Sequence, residues 1–317
     1  MKNIVTVGGG TGSYTILSGL KNIPDISLAA VINMSDDGGS AGVLRKKWGV
    51  MPGGDVRQCL VALSGKEFLN HRMAYGIWSG HKVGNVFLGI LEKLTGSFSR
   101  GLKILSWILN IKGKIIPITK DDAELNISFS DGSVITGESN IDTATFPTDV
   151  EKIYFSKNVE INPIARTAIL NADYIIIAPG NLFCSILPNL IVSGFRESLK
   201  KSKAKIIYVV NLVNKHGHTM GWGEKNYLEI TEKYLGRPVD FILINDEEFS
   251  AEQIEQYSKD EEPEKIFLKK DLVEDTRVKR CVLLSDKIFV QEKIDTVKRS
   301  LIRHDSEKLA ECIMKTI

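Results

Sequence analysis

The sequence predicts an α/β protein: a Rossmann-like, doubly wound, mostly parallel sheet carrying a small antiparallel β insertion. Three observations predict it. The apolar run Val5-Thr6-Val7 leads into Gly8-Gly9-Gly10-Thr11-Gly12-Ser13, and Tyr14, Leu17 and Leu20 follow at helical spacing, which reads as buried strand, tight turn and helix. Similar glycine-bearing turns recur at 36–42, 52–55, 80–85 and 179–181. Between 113 and 160 the apolar spacing changes to period two around the hairpin signal Ser130-Asp131-Gly132-Ser133.

Length and composition bound the rest. A chain of 317 residues can bury a large core, and we take 1–317 as one α/β domain with 113–160 inserted in it. Apolar residues make up 43% and charged ones 25%, the balance of a soluble globular protein. A formal charge of +2, from 41 basic and 39 acidic residues, excludes a dedicated nucleic-acid binder, which concentrates positive charge. The basic run Lys200, Lys201, Lys203 and Lys205 is answered by Asp260, Glu261, Glu262 and Glu264, and both read as solvated surface. Cys59 and Cys184 sit in apolar stretches and read as small buried hydrophobes; no C-x-x-C occurs among the four cysteines. No signal peptide and no run near the ~18 apolar residues of a membrane span is present. The expected setting is the cytoplasm.

In chain order, residues 27–33 are the second strand. It ends in Asn33-Met34-Ser35-Asp36-Asp37-Gly38-Gly39-Ser40-Ala41-Gly42, a second glycine loop with adjacent carboxylates. The dinucleotide fingerprint G-x-G-x-x-G is not met: Gly8, Gly10 and Gly12 are spaced G-x-G-x-G, and the acids lie inside a loop instead of at a strand tip. A nicotinamide-dependent oxidoreductase is therefore the weakest of three functional readings. Pro52-Gly53-Gly54-Asp55 starts a helix with Asp55 as N-cap. Arg57 at that helix start either solvates or forks onto phosphate. Gly80-His81-Lys82-Val83-Gly84-Asn85 precedes an apolar helix, and a further helix spans 98–109. Strands are expected at 114–118, 124–129, 133–138 and 152–155, grouped as the antiparallel insertion. The α/β pattern resumes with a helix at 163–171 and a buried strand at 173–178. Pro179-Gly180-Asn181 and a helix at 189–200 follow, then a strand at 204–211. His216 and His218 in the loop 212–223 form an H-x-H with no matched third ligand. Helix 226–235, strand 239–244 and a helix ending near Tyr257 come next. A charged surface loop at 259–265 follows, then strands at 266–268 and 280–284. Arg303-His304-Asp305 opens the last helix.

In a doubly wound fold these turns converge on one crevice. Glycine turns opening helices present N–H groups to anions, so the ligand expected there bears phosphate. Asp36 and Asp37 are candidates to hold Mg²⁺ beside it or to bind sugar hydroxyls. No G-x-x-x-x-G-K-[ST] is present, which disfavours a P-loop NTPase. No nucleophile with a positioned base stands out.

Taken together, the ordered segments Gly8-Gly9-Gly10-Thr11-Gly12, Ser35-Asp36-Asp37-Gly38-Gly39-Ser40, Gly54-Asp55-Val56-Arg57, Gly80-His81 with Gly84-Asn85, Thr136-Gly137-Glu138-Ser139, Pro179-Gly180 and Arg303-His304-Asp305 resemble those of the YvcK-type gluconeogenesis factors. These belong to the CofD-like superfamily, named for 2-phospho-L-lactate transferase. The resemblance runs from residue 4 to about 310. It implies a Rossmann-like fold and a UDP-N-acetylglucosamine-like nucleotide sugar, or a dinucleotide, as ligand. It also implies a cytoplasmic regulatory role in cell shape and envelope synthesis during gluconeogenic growth. A CofD-like transferase acting with Mg²⁺ on a deazaflavin precursor is the alternative, and a homodimer is expected. Carried over by residue, Gly9, Gly10, Thr11 and Gly12 would face phosphate. Asn33, Asp36 and Asp37 would face the ligand's centre, with Gly38, Asp55, Arg57 and His81 around it. Asn85 and the loop holding Gly180, Asn181 and Ser185 would close the other side, and Tyr257 and Arg303 would take the nucleotide sugar. The sequence departs from the family at Gly53, where proline is usual, at Asn181 for serine and Cys184 for threonine, and in Asn214–Thr219. Gly10→Val or Thr11→Val is expected to weaken ligand binding and leave the fold intact.

Overall fold

The computed structural model describes residues 1–257, 266–287 and 301–317. The chain opens with β1 (Lys2–Gly8), α1 (Gly10–Leu20), β2 (Ile26–Ile32), α2 (Gly39–Trp48), α3 (Gly54–Ser64), α4 (Val83–Thr95), α5 (Phe98–Ile108) and β3 (Lys114–Pro117). It continues through β4 (Leu125–Phe129), β5 (Val134–Thr136), α6 (Glu138–Thr143), β6 (Val150–Phe155), α7 (Pro163–Leu170) and β7 (Tyr174–Ile177). The last part holds α8 (Leu187–Leu190), α9 (Phe195–Lys201), β8 (Lys205–Val209), α10 (Glu224–Leu235), β9 (Phe241–Asn245), α11 (Ala251–Tyr257), β10 (Val278–Cys281) and α12 (Ser306–Thr316).

Seven strands form one parallel sheet in the order β10-β9-β8-β7-β1-β2-β3. The chain starts in the middle, winds outward through β2 to β3, then returns to β7 on the other side of β1. The order therefore reverses between β1 and β7, and a crevice opens at such a point. Consecutive residues Ile175, Ile176 and Ile177 are all fully buried, as are Ile206 and Ile207. Burial on both faces of a sheet is what selects unbroken β-branched runs, and each such side chain contributes about 1.5–3 kcal/mol. Helix α1 packs on α3 and α12, and α9 on α7, α8 and α10.

A second sheet, β5-β4-β6, is antiparallel. Asp131 accepts the Ser133 N–H at 2.9 Å and closes the expected hairpin. The strand at 114–118, expected in this group, belongs instead to the main sheet, parallel to β2 in the register Ala29↔Lys114 to Ile32↔Pro117. Ile115, Ile116 and Pro117 are buried in succession, the signature of a two-faced parallel strand, which so short a run does not show against alternation. The strand expected over 133–138 stops at Thr136, where Gly137 at φ +92° turns the chain into α6. The helix expected at 189–200 is broken: a π-turn at Leu182–Ile186 runs into α8, and Gly194 at φ +88° restarts the chain as α9. Phe267 makes a lone bridge to Val213, not a strand. The charged stretch 259–265 lies outside the described residues.

Cys59 and Cys184 are buried free thiols, as expected. Cys281 and Cys312 form a disulfide that ties β10 to α12, a pairing the sequence did not announce. Among the described residues no helix is long and apolar enough to cross a membrane.

Candidate functional site

At the reversal point the carboxyl ends of β1 and β7 lie side by side, with Ala178 N–H on Val7 O at 2.9 Å. A cavity of about 690 Å³ opens above them. Helix α1 begins at its edge with Gly9 as N-cap and no side-chain cap, so its first N–H groups are presented to the opening. Glycine is required at position 12 by close approach. A β-carbon there would stand 2.9 Å from the Pro179 carbonyl carbon, with the carbonyl oxygen nearer still. The two loops from β1 and β7 are thus seated backbone on backbone.

Carboxylates frame this turn. A β-carbon on Gly10 would meet Asp55 Oδ1 at 2.6 Å and the Asp55 Cα at 3.2 Å; one on Gly9 would meet Asp55 Oδ2 at 3.1 Å. The expectation that Gly10→Val leaves the fold intact is therefore corrected: the substitution drives α1 into α3. Asp55 lies in the first turn of α3, whose N-cap is Gly53 and not Asp55 as expected. Asp36 accepts the Gly38 N–H at 3.0 Å and lines the cavity. Glu138, from the first turn of α6, lines it too. Burial, then the negative field of Asp36, Asp142, Asp55 and Asp37, pushes the Glu138 carboxyl well above the usual carboxylate range. Burial and the surrounding acids both favour its protonated form.

Arg57 is 3% exposed. It donates from Nε to Asn85 Oδ1 at 3.0 Å and from Nη1 to Asn70 Oδ1. Asn85 in turn donates to Ser40 Oγ at 3.2 Å. Arg57 and Asn85 both line the cavity, and this chain braces α2, α3 and α4 against one another.

The far wall is the loop after β7. Asn181 accepts the Phe183 and Cys184 N–H groups at 3.1 and 3.3 Å and donates to Asp142 Oδ1 at 2.7 Å. Asn181 thus has a structural use: one amide caps the π-turn and grips α6 together. Gly180 is held in both directions by Asn211, at 2.9 and 2.8 Å. Burial, then Glu138, raises the Cys184 thiol well above its ordinary value.

Of the residues singled out from sequence, Gly9, Gly10, Thr11, Gly12, Asp36, Gly38, Asp55, Arg57, Asn85, Gly180, Asn181, Ser185 and Arg303 line this one cavity. Asp37 and His81 line a neighbouring, smaller pocket with Gly38 at the border. Asn33 lines neither: it is buried and spends its amide on Ser35 Oγ and Cys184 O, both at 2.8 Å. Tyr257 ends α11, and its side chain lies outside the described residues. Asp36 and Asp37 face different cavities, and no group of three or more His, Cys, Asp or Glu side chains among the described residues stands close enough to hold a metal ion. The H-x-H is split likewise. His216 lines the cavity, whereas His218 stacks on Phe146 at 4.1 Å and bonds Ile141 O at 2.8 Å.

Sequence reasoning missed Arg72, Lys82, Asp142, Asn211 and Lys215 as lining residues, and quoted Glu138 without giving it a place in the site. Glu138 and Asp142 share an i, i+4 face of α6, which was the available signal; the others come from loops with no periodicity. The ion pair of Asp142 with Lys215, at 3.3 Å, joins two of them.

The family model for 2-phospho-L-lactate transferase CofD matches residues 4–288. A putative gluconeogenesis factor of Thermotoga maritima is 38% identical over 98% of both chains. The gluconeogenesis factor of Halalkalibacterium halodurans is 36% identical over 99% of this chain and 96% of its own. A crystal structure of a Bacillus halodurans protein superposes with a TM-score of 0.86, at 33% identity over 99% of each chain.

Proposed function

The chain belongs to the CofD family, among its gluconeogenesis factors, and on that premise we propose that it is a nucleotide-sugar-binding regulatory protein. Its ligand is of the UDP-N-acetylglucosamine class. Its role is control of cell shape and envelope synthesis during gluconeogenic growth, exerted in the cytoplasm as a homodimer. The observation that carries the ligand reading is the 690 Å³ cavity at the β1/β7 reversal point, a volume within the range of small-molecule sites. The start of α1 at the cavity edge suits the diphosphate. Arg57, Arg72, Lys82, Lys215 and Arg303 line the same cavity and offset its charge. Asp36, Asp55 and Glu138 line it too and offer hydrogen-bond partners to sugar hydroxyls.

Calorimetry with UDP-N-acetylglucosamine is the test. Saturable heat at sub-millimolar ligand is expected, weakened about tenfold in Thr11→Val if the hydroxyl serves a phosphate oxygen. No heat from a folded sample at that concentration sinks the reading.

A second reading is favoured by the carboxylates Asp36, Asp55, Glu138 and Asp142 around the cavity and by the description of the family model. It is transfer of a phospholactyl group from a lactyl nucleoside diphosphate to an alcohol on a deazaflavin precursor: the phosphoanhydride breaks, nucleoside monophosphate leaves, and the alcohol proton passes to solvent. In it the chain's own residues orient donor and acceptor, and no step is assigned to a metal. Incubating purified protein with activated lactyl donor, acceptor and Mg²⁺ tests it; absence of product with nucleotide-sugar binding intact removes it.

A further inference from the structure

A smaller cavity of about 430 Å³ lies beside the nucleotide cleft. The two share Gly38, Gly39, Ser40, Arg72 and Ser139. Their charge differs. The larger cavity is lined by four carboxylates among its cations. The smaller one has Lys46, Lys47 and Arg72 against the single carboxylate of Asp37, whose Oδ1 accepts the Ser139 N–H at 2.7 Å.

The cations are held by backbone design on one side. The loop between the third and fourth helices folds back on itself, with Met73 N–H on His81 O at 2.9 Å and Gly80 N–H on Met73 O at 2.8 Å. Arg72 donates Nη1 to Gly80 O at 2.7 Å, which fixes its guanidinium at the pocket rim. On the opposite rim Lys46 and Lys47 extend from the last turn of α2. Ser40 Oγ accepts from Lys82 N and Asn85 Nδ2, both at 3.2 Å. Ser40 Oγ also lies 3.2 Å from His81 Nδ1. Burial, then Lys47, lowers the His81 pKa, opposed by a hydrogen bond to the Ser40 backbone.

We infer that this side pocket is a second binding site, for the dianionic phosphate of a small phosphomonoester, occupied independently of the nucleotide cleft. Lys46, Lys47 and Arg72 line a space whose lone carboxylate is already engaged by backbone, and phosphate oxygens need such cationic partners. The inference rests on the charge and shape of the side pocket and not on the nucleotide-sugar reading. The shared wall of Ser40, Arg72 and Ser139 places such an anion beside whatever the larger cleft holds.

The probes are inorganic phosphate and glycerol 2-phosphate, titrated calorimetrically at low salt into the wild type, alone and after saturation with UDP-N-acetylglucosamine. The variant is Lys46→Ala with Lys47→Ala, two exposed positions that do not line the larger cavity. Saturable binding that survives the nucleotide sugar is expected, and the double variant should lose at least about tenfold in affinity for both probes while binding the nucleotide sugar as before. Three results overturn the proposal: no phosphate binding in the wild type, phosphate displaced by the nucleotide sugar, or phosphate affinity unchanged in the variant. Should the wild type give no heat with the nucleotide sugar, the titration with phosphate alone still decides, so the two readings fail separately.

Discussion

Gly12→Ala tests the seam on which the site depends. The new β-carbon would stand 2.9 Å from the Pro179 carbonyl carbon, against a favourable carbon–carbon separation of about 3.5 Å or more. Both partners are main chain, so no side chain can swing aside. Helix α1 and the Pro179–Gly180 loop must part by at least ~0.6 Å on the carbon alone, and the nearer oxygen demands more. Overpacking of this kind costs about 1–3 kcal/mol. Exchanging glycine for alanine in a helix returns under ~1 kcal/mol. The net expectation is a loss of about 1–2 kcal/mol, or several degrees in Tm at about 2–4 °C per kcal/mol. Affinity for the nucleotide sugar should fall as well, because the parted loops are the two walls of the cleft. Gly89→Ala is the control: it also lies within a helix, but its β-carbon would meet only the edge of the Trp48 ring, at 3.3 Å. The assay is urea unfolding with calorimetry on both variants. Gly12→Ala as stable as Gly89→Ala, with unchanged affinity, would refute the reasoning.

Three further outcomes are expected. Arg280 binds Glu224 through two nitrogens at 3.1 and 3.0 Å, and Glu224 is 2% exposed. Arg280→Met should therefore cost on the order of 3 kcal/mol by stranding the carboxylate, and adding Glu224→Leu should recover much of it, measured by urea unfolding. His218 and His304 are held down to about 4 by burial. The unfolded chain then binds more protons than the native one between pH 6.5 and 4, so stability is full above 6.5 and lost as pH falls. Each group contributes about 3 kcal/mol, and His218→Phe should flatten the dependence of unfolding free energy on pH; an unaltered slope contradicts the assignment. The Cys281–Cys312 disulfide closes a span of 31 residues. Reduction should cost about 3–4 kcal/mol on the chain-entropy account, read as a Tm drop in dithiothreitol, and an unshifted Tm would show that the bond carries no stability.

The parallel sheet and the glycine turns were legible from local signals. An unbroken run such as Tyr174–Ile177 has one physical home, a strand covered on both faces, and a turn such as Gly8–Gly12 marks where a backbone must approach closely. These are properties of short segments, so composition and spacing report them. What the chain does with them was decided by segments distant in sequence. Lys114–Pro117 joins β2 because that edge of the sheet was free, which no local period encodes. Asp36 and Asp37 are adjacent in sequence yet face different cavities, because Ser139, about a hundred residues on, takes Asp37. Asn33 looks like a ligand contact in its loop but is consumed by Cys184. The Glu138 carboxyl is pushed upward by burial and by the carboxylates of Asp36, Asp142, Asp55 and Asp37, three of which come from elements distant in sequence. The residue types at the opening glycine turn fix that a helix start is exposed there; the pairing of β1 with β7 decides that Asp55, Pro179 and Arg303 stand around it. Local sequence sets backbone preference, whereas charge and burial at a site are sums over neighbours that only the folded chain brings together.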